Sequence, residues 1–308
     1  MGYLHVALGG AARDAFCSAF DGAKRSIDAE FFSIRDPSLV QGLNRAAARG
    51  VDVTVHVEGD PDRYGHRGAH EPKPRCVLRT TKLYSNLFDP RVHVIVESDA
   101  KVLEHSKAVV IDDARALLAT ANANDDGFRC PGEVCVEDDA AVDVAAVKDA
   151  IAGRPGNSSR IVAGPSEHSR DRIARLLGCA HDLRIASEDL SDPQIVNELA
   201  ARRAAGLHDE VLVKREGRET WPEKRALSEL SEAGVSVRSL GETFMHDKYI
   251  DTGDEIYVGS ANLTRNGLDE AREIGIIAPS ADFGEGAVTL RADFDRMWSL
   301  AQPVATDL

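Results

Sequence analysis

His105-x-Lys107 and His246-x-Lys248 are one short pattern written twice, and each copy is followed by an asparagine and, eleven residues after that, a glutamate: Asn122 and Glu133, Asn262 and Glu273. No other feature of the 308-residue chain restricts its fold so strongly. On a strand, residues two apart point to the same face, so each pair can offer an imidazole and an ammonium to one anion. Two matched sets in one chain imply a single site shared between two halves.

The surroundings repeat as well. Arg13-Asp14 and Arg170-Asp171 are 157 residues apart, as are Ala23 and Ala180, while Asp36-Pro37 and Asp192-Pro193 are 156 apart. The asparagines and glutamates of the two sets are offset by 140. Offsets that hold within each segment are what a duplicated unit with one shortened loop gives. The extra material in the first half is Glu58 to Lys82, polar and broken by prolines and glycines, which reads as a long loop overhanging the site. It contains His66, His70 and Glu71, whose spacing matches no zinc motif, so it is taken as surface.

Between these landmarks the pattern is strand, helix, strand. Val51, Val53, Val55 and Val57 alternate with polar residues, as do Val92, Val94 and Val96. Asp36-Pro37-Ser38 reads as a helix start, with Leu39, Val40 and Leu43 on one face and Gly50 beyond its end. Phe16 and Phe20, and later Phe294 and Trp298, recur at helical spacing. Such alternation predicts an α/β architecture: two α/β/α halves, each a mixed sheet flanked by helices, related by a pseudo-twofold axis with one shared active site. Gly153 to Ser159, rich in glycine, proline and serine, is the best linker, which divides the chain into 1–152, 153–159 and 160–308.

Composition limits the partners. The formal charge is −14 and aromatics make up 5% of the chain, a poor balance for gripping nucleic acid, where affinity comes from neutralised phosphates and stacked bases. Cys17, Cys76, Cys130, Cys135 and Cys179 are odd in number and form no disulfide framework, which points to a reducing compartment. Residues 1–20 include Arg13 and Asp14 and no sustained apolar run, and no stretch reaches membrane-span length, so a cytoplasmic location is expected.

His105-x-Lys107 followed by Asp112 resembles the H-x-K-x4-D signature of the phospholipase D superfamily, and Gly259-Ser260-Ala261-Asn262 resembles its G-S-x-N element. The first copy reads Ala119-Thr120-Ala121-Asn122 where Gly-Ser is usual, and in the second the aspartate position is Gly253, between Asp251 and Asp254. The resemblance implies two twin halves and a covalent phosphohistidine mechanism. By analogy His105 attacks phosphorus and His246 transfers the proton, first as acid and then as base. Lys107 and Lys248 would neutralise phosphate oxygens, and Asn122 and Asn262 would donate hydrogen bonds, with the Thr120 and Ser260 hydroxyls as further donors. Glu133 and Glu273 would each accept a ring N–H from a histidine and fix its tautomer. Asp112, at a strand end, reads as structural, and Asp251 and Asp254 as turn residues. Cys130 and Cys135 read as free thiols. Trp221 fits a substrate-contacting loop residue or an exposed turn equally well.

This chemistry requires no metal or other cofactor. The expected activity is a phosphodiesterase or phosphatidyltransferase acting on a phospholipid-type diester, in the manner of phospholipase D and cardiolipin synthase-like proteins. Peripheral membrane contact would accompany such a substrate, and a monomer suffices because both motifs lie in one chain. A nuclease of the same superfamily would use the same residues, and a non-catalytic phosphate-binding scaffold is the reading from a different class.

Overall fold

The computed structural model describes residues 4–304 apart from 62–63, 66–67, 70–72, 99–101, 125, 131, 166–167, 215–218, 242 and 244. His66, His70 and Glu71 therefore lie outside the described residues, as do the side chains of 64, 65, 68 and 69.

The first half runs β1 (His5–Leu8), α1 (Gly10–Gly22), β2 (Ser26–Phe31), α2 (Pro37–Ala48), β3 (Asp52–Glu58), a small ribbon of β4 (Tyr64–Gly65) and β5 (Gly68–Ala69), then α3 (Pro74–Leu87) and β6 (Val92–Glu97). It closes with β7 (Lys107–Ile111), β8 (Arg115–Ala119), β9 (Val134–Asp138) and α4 (Ala141–Ile151). The second half runs β10 (Ile161–Ala163), α5 (Ser169–Leu177), β11 (Arg184–Ser187), α6 (Pro193–Ala204), β12 (Glu210–Val213), α7 (Trp221–Glu232) and β13 (Ser236–Ser239). It ends with β14 (Lys248–Asp251), β15 (Glu255–Gly259), β16 (Ile274–Pro279), α8 (Ser280–Phe283), α9 (Glu285–Leu300) and β17 (Gln302–Pro303). None of the described helices is long and apolar enough to cross a membrane.

The two main sheets share one strand order, β1-β9-β8-β7-β2-β3-β6 in the first and β10-β16-β15-β14-β11-β12-β13 in the second, where β17 adds an edge. Both are mixed: β2–β3–β6 and β11–β12–β13 are parallel, and the remaining pairs antiparallel. Alternation explains how three layers form. On β7, Val109 and Ile111 enter the outer core of the first half with Phe16, Phe20 and Leu43, while Ala108 and Val110 face a central core. Ile274, Ile276 and Phe294 of the second half enter that same central core, so the two sheets are joined by one apolar layer.

The repeated dipeptides have repeated duties. Asp36 caps α2 by accepting from the Ser38 and Leu39 N–H groups, and Asp192 caps α6 through Gln194 and Ile195, each with proline as first helical residue. Arg13 closes on Asp36 at 3.7 Å and Arg170 on Asp192 at 2.7 Å, tying each half's first helix to its second. Phe294 and Trp298 stack at 5.9 Å against the central core.

One expectation needs correction. The stretch taken as loop to Lys82 contains the start of α3 at Pro74. Proline was counted as a breaker there, but at the first position of a helix its missing N–H costs nothing.

Asp112 sits at φ 55° in the β7–β8 turn, and its carboxylate accepts the backbone N–H groups of Lys24, Arg25 and Ser26, bonds that outweigh burial and lower its pKa. In the second half, Gly253 takes the left-handed turn at φ 87°, and buried Asp251, at the end of β14, holds Arg291 and the Gly253 N–H. Asp112→Ala is therefore expected to cost roughly 2 kcal/mol in denaturant unfolding while leaving kcat unchanged. A large kcat loss in a stably folded variant would return Asp112 to the chemistry.

Candidate active site

Each lysine opens the strand next to the parallel block, with its histidine two residues before it. The register fixes this: Lys107 is opposite Phe31, and Lys248 opposite Ser187. Each Nζ turns back to donate to the carbonyl of its own histidine, Lys107 to His105 and Lys248 to His246 at 2.9 Å. Both lysines are buried at the site's floor. Both imidazoles line one cleft of about 280 Å³, together with Asn122, Asn262, Glu188 and Asp189. Phe32, Pro61 and Leu103 form an apolar part of its wall.

His105 is held from the opposite half. Glu273 Oε1 lies 2.7 Å from its Nδ1, and the backbone explains the meeting. The Arg272 N–H donates to the Leu103 carbonyl and the His105 N–H to the Arg272 carbonyl, so segments 103–105 and 271–273 form a bridge across the halves. The Arg272 side chain fastens it, contacting Glu104 at 3.2 Å and donating to the Ala150 and Ile151 carbonyls. With Nδ1–H given to Glu273, the His105 Nε2 presents its lone pair to the cleft.

His246 is held differently, and here two expectations are corrected. Glu133 does not orient it: both oxygens of this buried carboxyl accept no hydrogen bond among the described residues. The His246 Nδ1 instead lies 2.9 Å from Lys248 Nζ and 3.1 Å from the Thr120 carbonyl, and its Nε2 lies 3.2 Å from Glu188 Oε2. The Lys248 and Glu188 contacts suit a proton on Nε2, whereas the Thr120 carbonyl, which can only accept, suits one on Nδ1. The Thr120 and Ser260 hydroxyls likewise are not turned to the cleft. Both are fully buried and accept the backbone N–H groups of Val134 and Ile274, at 3.0 Å each, where the chain turns between strands.

Burial dominates the electrostatics. It lowers the pKa of both histidines, helped at His105 by the charges of Lys107 and Lys248. It lowers Lys107 to about 7 and raises Glu273 to about 8, with Glu133 raised well above the usual carboxylate range. Burial pushes Glu188 up too, but the positive side chains packed against it, His246 in its protonated form and then Lys248 and Lys214, outweigh it and hold the carboxylate well below its usual range. A neutral imidazole suits His105 as nucleophile; to act as an acid His246 must be protonated, the form that the Glu188 carboxylate beside it favours.

Glu188 is the functional candidate that sequence reasoning missed. The signal was present: at the 156-residue offset of Asp36 and Asp192, it falls on Phe32, a carboxylate against an aromatic directly after equivalent strands. Trp221 is the exposed first residue of α7, with Arg225 5.7 Å from its ring. No group of His, Cys, Asp and Glu suited to a metal ion occurs among the described residues.

No curated protein matches the sequence. Among solved structures, phosphatidylserine synthase from Haemophilus influenzae Rd KW20 superposes with a TM-score of 0.69 at 12% identity, covering 98% of this chain and 87% of that one. Polyphosphate kinase from Porphyromonas gingivalis gives 0.66 at 16% identity over 99% of this chain, which spans only 48% of the kinase. Yeast tyrosyl-DNA phosphodiesterase gives 0.55 at 10% identity, covering 90% and 89%. The family model for the cardiolipin synthase, PLD-like domain, matches residues 16–152 and 173–298, so most of both halves is accounted for, and the chain belongs to that family within the phospholipase D superfamily.

Proposed function

We propose that the chain is a metal-independent phosphodiesterase that works through a phosphohistidine, and that its substrate is a phospholipid-type diester, hydrolysed or transferred to an alcohol. The observation that carries this reading is the convergence of His105 and His246 on one cleft, each with its lysine behind it. Cleaving a phosphodiester requires a nucleophile on phosphorus, neutralised equatorial oxygens and a proton for the leaving oxygen. His105 Nε2 supplies the first, Lys107 and Lys248 the second, and His246 Nε2–H the third, with the Asn122 and Asn262 amides at the rim. Water or an alcohol then attacks the phosphohistidine, giving its proton to His246.

Lipid is favoured over nucleic acid on two grounds. The ionised Glu188 in the cleft wall disfavours a polyanion, whereas Phe32, Pro61 and Leu103 offer an apolar edge to the non-phosphate part of a lipid. The family's description as cardiolipin synthase-like points the same way.

The test is turnover of bis(p-nitrophenyl) phosphate in EDTA, then of phosphatidylcholine and single-stranded DNA, each with and without added alcohol. Release of a headgroup, or headgroup exchange with alcohol, supports the lipid reading. Cleavage of DNA alone identifies a nuclease, and no turnover of any diester identifies a phosphate-binding scaffold.

A further inference from the structure

The two halves are not equivalent at the cleft. The residue after β2, Phe32, donates its backbone N–H to the Ser106 carbonyl at 3.1 Å, and the residue after β11, Glu188, donates to the Asp247 carbonyl at 2.9 Å. Ser106 and Asp247 each sit between the histidine and lysine of their motif. Phe32 and Glu188 are therefore the same position in the two halves, and their side chains do opposite things.

Phe32 sets its ring edge-on to His105 with centroids 5.1 Å apart, and lies 5.7 Å from Lys107 Nζ. Among the described residues, no carboxylate pairs with Lys107 within 4.0 Å. Glu188 instead brings Oε2 to 2.8 Å from Lys248 Nζ and 3.2 Å from His246 Nε2, while its Oε1 lies 2.9 Å from Lys214 Nζ. It is 8% exposed, so this carboxylate is committed to the floor of the cleft and not to solvent.

Lys248 Nζ and His246 Nε2–H are also the two donors that a phosphodiester would need on this half. One carboxylate oxygen and one phosphate oxygen cannot both take them, because two anions at that separation repel. We propose that Glu188 is an internal stand-in for a substrate phosphate oxygen: it fills the anion position of the second half, and substrate phosphate binds there by displacing it toward Lys214. The inference rests on the phosphodiesterase reading and adds to it an unequal pair of phosphate subsites, one shielded by an aromatic ring and one guarded by a carboxylate.

The consequence is selectivity. Apparent affinity is reduced by the fraction of molecules in which the binding-competent arrangement is populated. A bare anion has only its phosphate contacts with which to displace Glu188. A diester whose apolar part packs on Phe32, Pro61 and Leu103 gains further contacts that offset the displacement. Free phosphate is thereby kept from blocking the site.

Calorimetric titration with inorganic phosphate tests this on the whole protein and on Glu188→Gln, Glu188→Ala, Lys248→Met and Lys107→Met, with thermal unfolding confirming that each is folded. Both Glu188 variants are expected to bind phosphate at least about tenfold more tightly than the intact protein, since each removes a competing charge. Lys248→Met is expected to weaken binding. Equal or weaker binding in both Glu188 variants, or none detectable in either, overturns the proposal; a role confined to orienting His246 would give that result. If both lysine variants bind phosphate as the intact protein does, the cleft is not the phosphate site, and the phosphodiesterase reading itself fails.

Discussion

Replacing His105 with alanine should abolish turnover of bis(p-nitrophenyl) phosphate, with a loss of about 10⁴-fold or more, whereas His246→Ala should stop the enzyme halfway. In the first step of the proposed mechanism the His105 Nε2 lone pair forms a bond to phosphorus, and the bond to the leaving oxygen breaks with its electron pair. p-Nitrophenolate leaves without a proton, so the missing acid matters little there. In the second step, water attacks phosphorus and must give up a proton as the phosphorus–nitrogen pair returns to the imidazole; without His246 the cleft lacks the group proposed to take it. The expected result is a burst of about one p-nitrophenolate per His246→Ala molecule and an acid-labile phosphoryl adduct on His105, seen by intact mass. Adduct on His246 in the His105→Ala protein would reverse the two roles. Undiminished turnover in both variants would remove the phosphohistidine mechanism altogether.

The unequal environments of the two rings underlie that asymmetry, and the sequence showed only part of it. The duplicated motifs made the mixed sheets and the shared cleft legible, because strand alternation and the fixed spacing to Asn122 and Asn262 are local properties of the chain. Glu273 could be named as a histidine partner from the family resemblance, but its partner belongs to the other half. That crossing depends on the bridge between 103–105 and 271–273, which no local pattern encodes. Symmetry then misled at Glu133. The repeat assigns it Glu273's duty, yet Arg272 of the bridge has Gly132 as its counterpart, and a Cβ there would lie 2.7 Å from Asp247 Oδ2. Gly132 packs closely on Asp247 instead, and His246 meets Lys248, Thr120 and Glu188. Thr120 and Ser260 differ from expectation because a hydroxyl close to a cleft asparagine serves equally well to cap a turn, and only burial separates the two duties.

Lys107 should give the reaction an alkaline limit unusual for a lysine. Burial takes its pKa to about 7, and Lys248 adds to the depression, so the ammonium loses its proton as pH rises through neutrality. The charge that neutralises the phosphate is present below that value and lost above it; kcat/KM should therefore fall by about tenfold per pH unit above roughly pH 7. Glu273, raised to about 8, acts with the opposite sign, because ionisation makes it a better acceptor for the His105 Nδ1–H and produces a rising limb. A bound phosphate anion stabilises the ammonium, so the limit in kcat should lie at higher pH than that in kcat/KM. Lys107→Met is expected to cost about 10³-fold in kcat/KM below pH 7, the scale of one lost charge contact to the transition state. Lys107→Arg should be slower than the intact enzyme at pH 6, because the planar guanidinium fits the buried slot poorly, yet its rate should show no falling limb up to pH 9. A falling limb that persists unchanged in Lys107→Arg would assign the titration to another group and take from Lys107 its role as the phosphate's counter-charge.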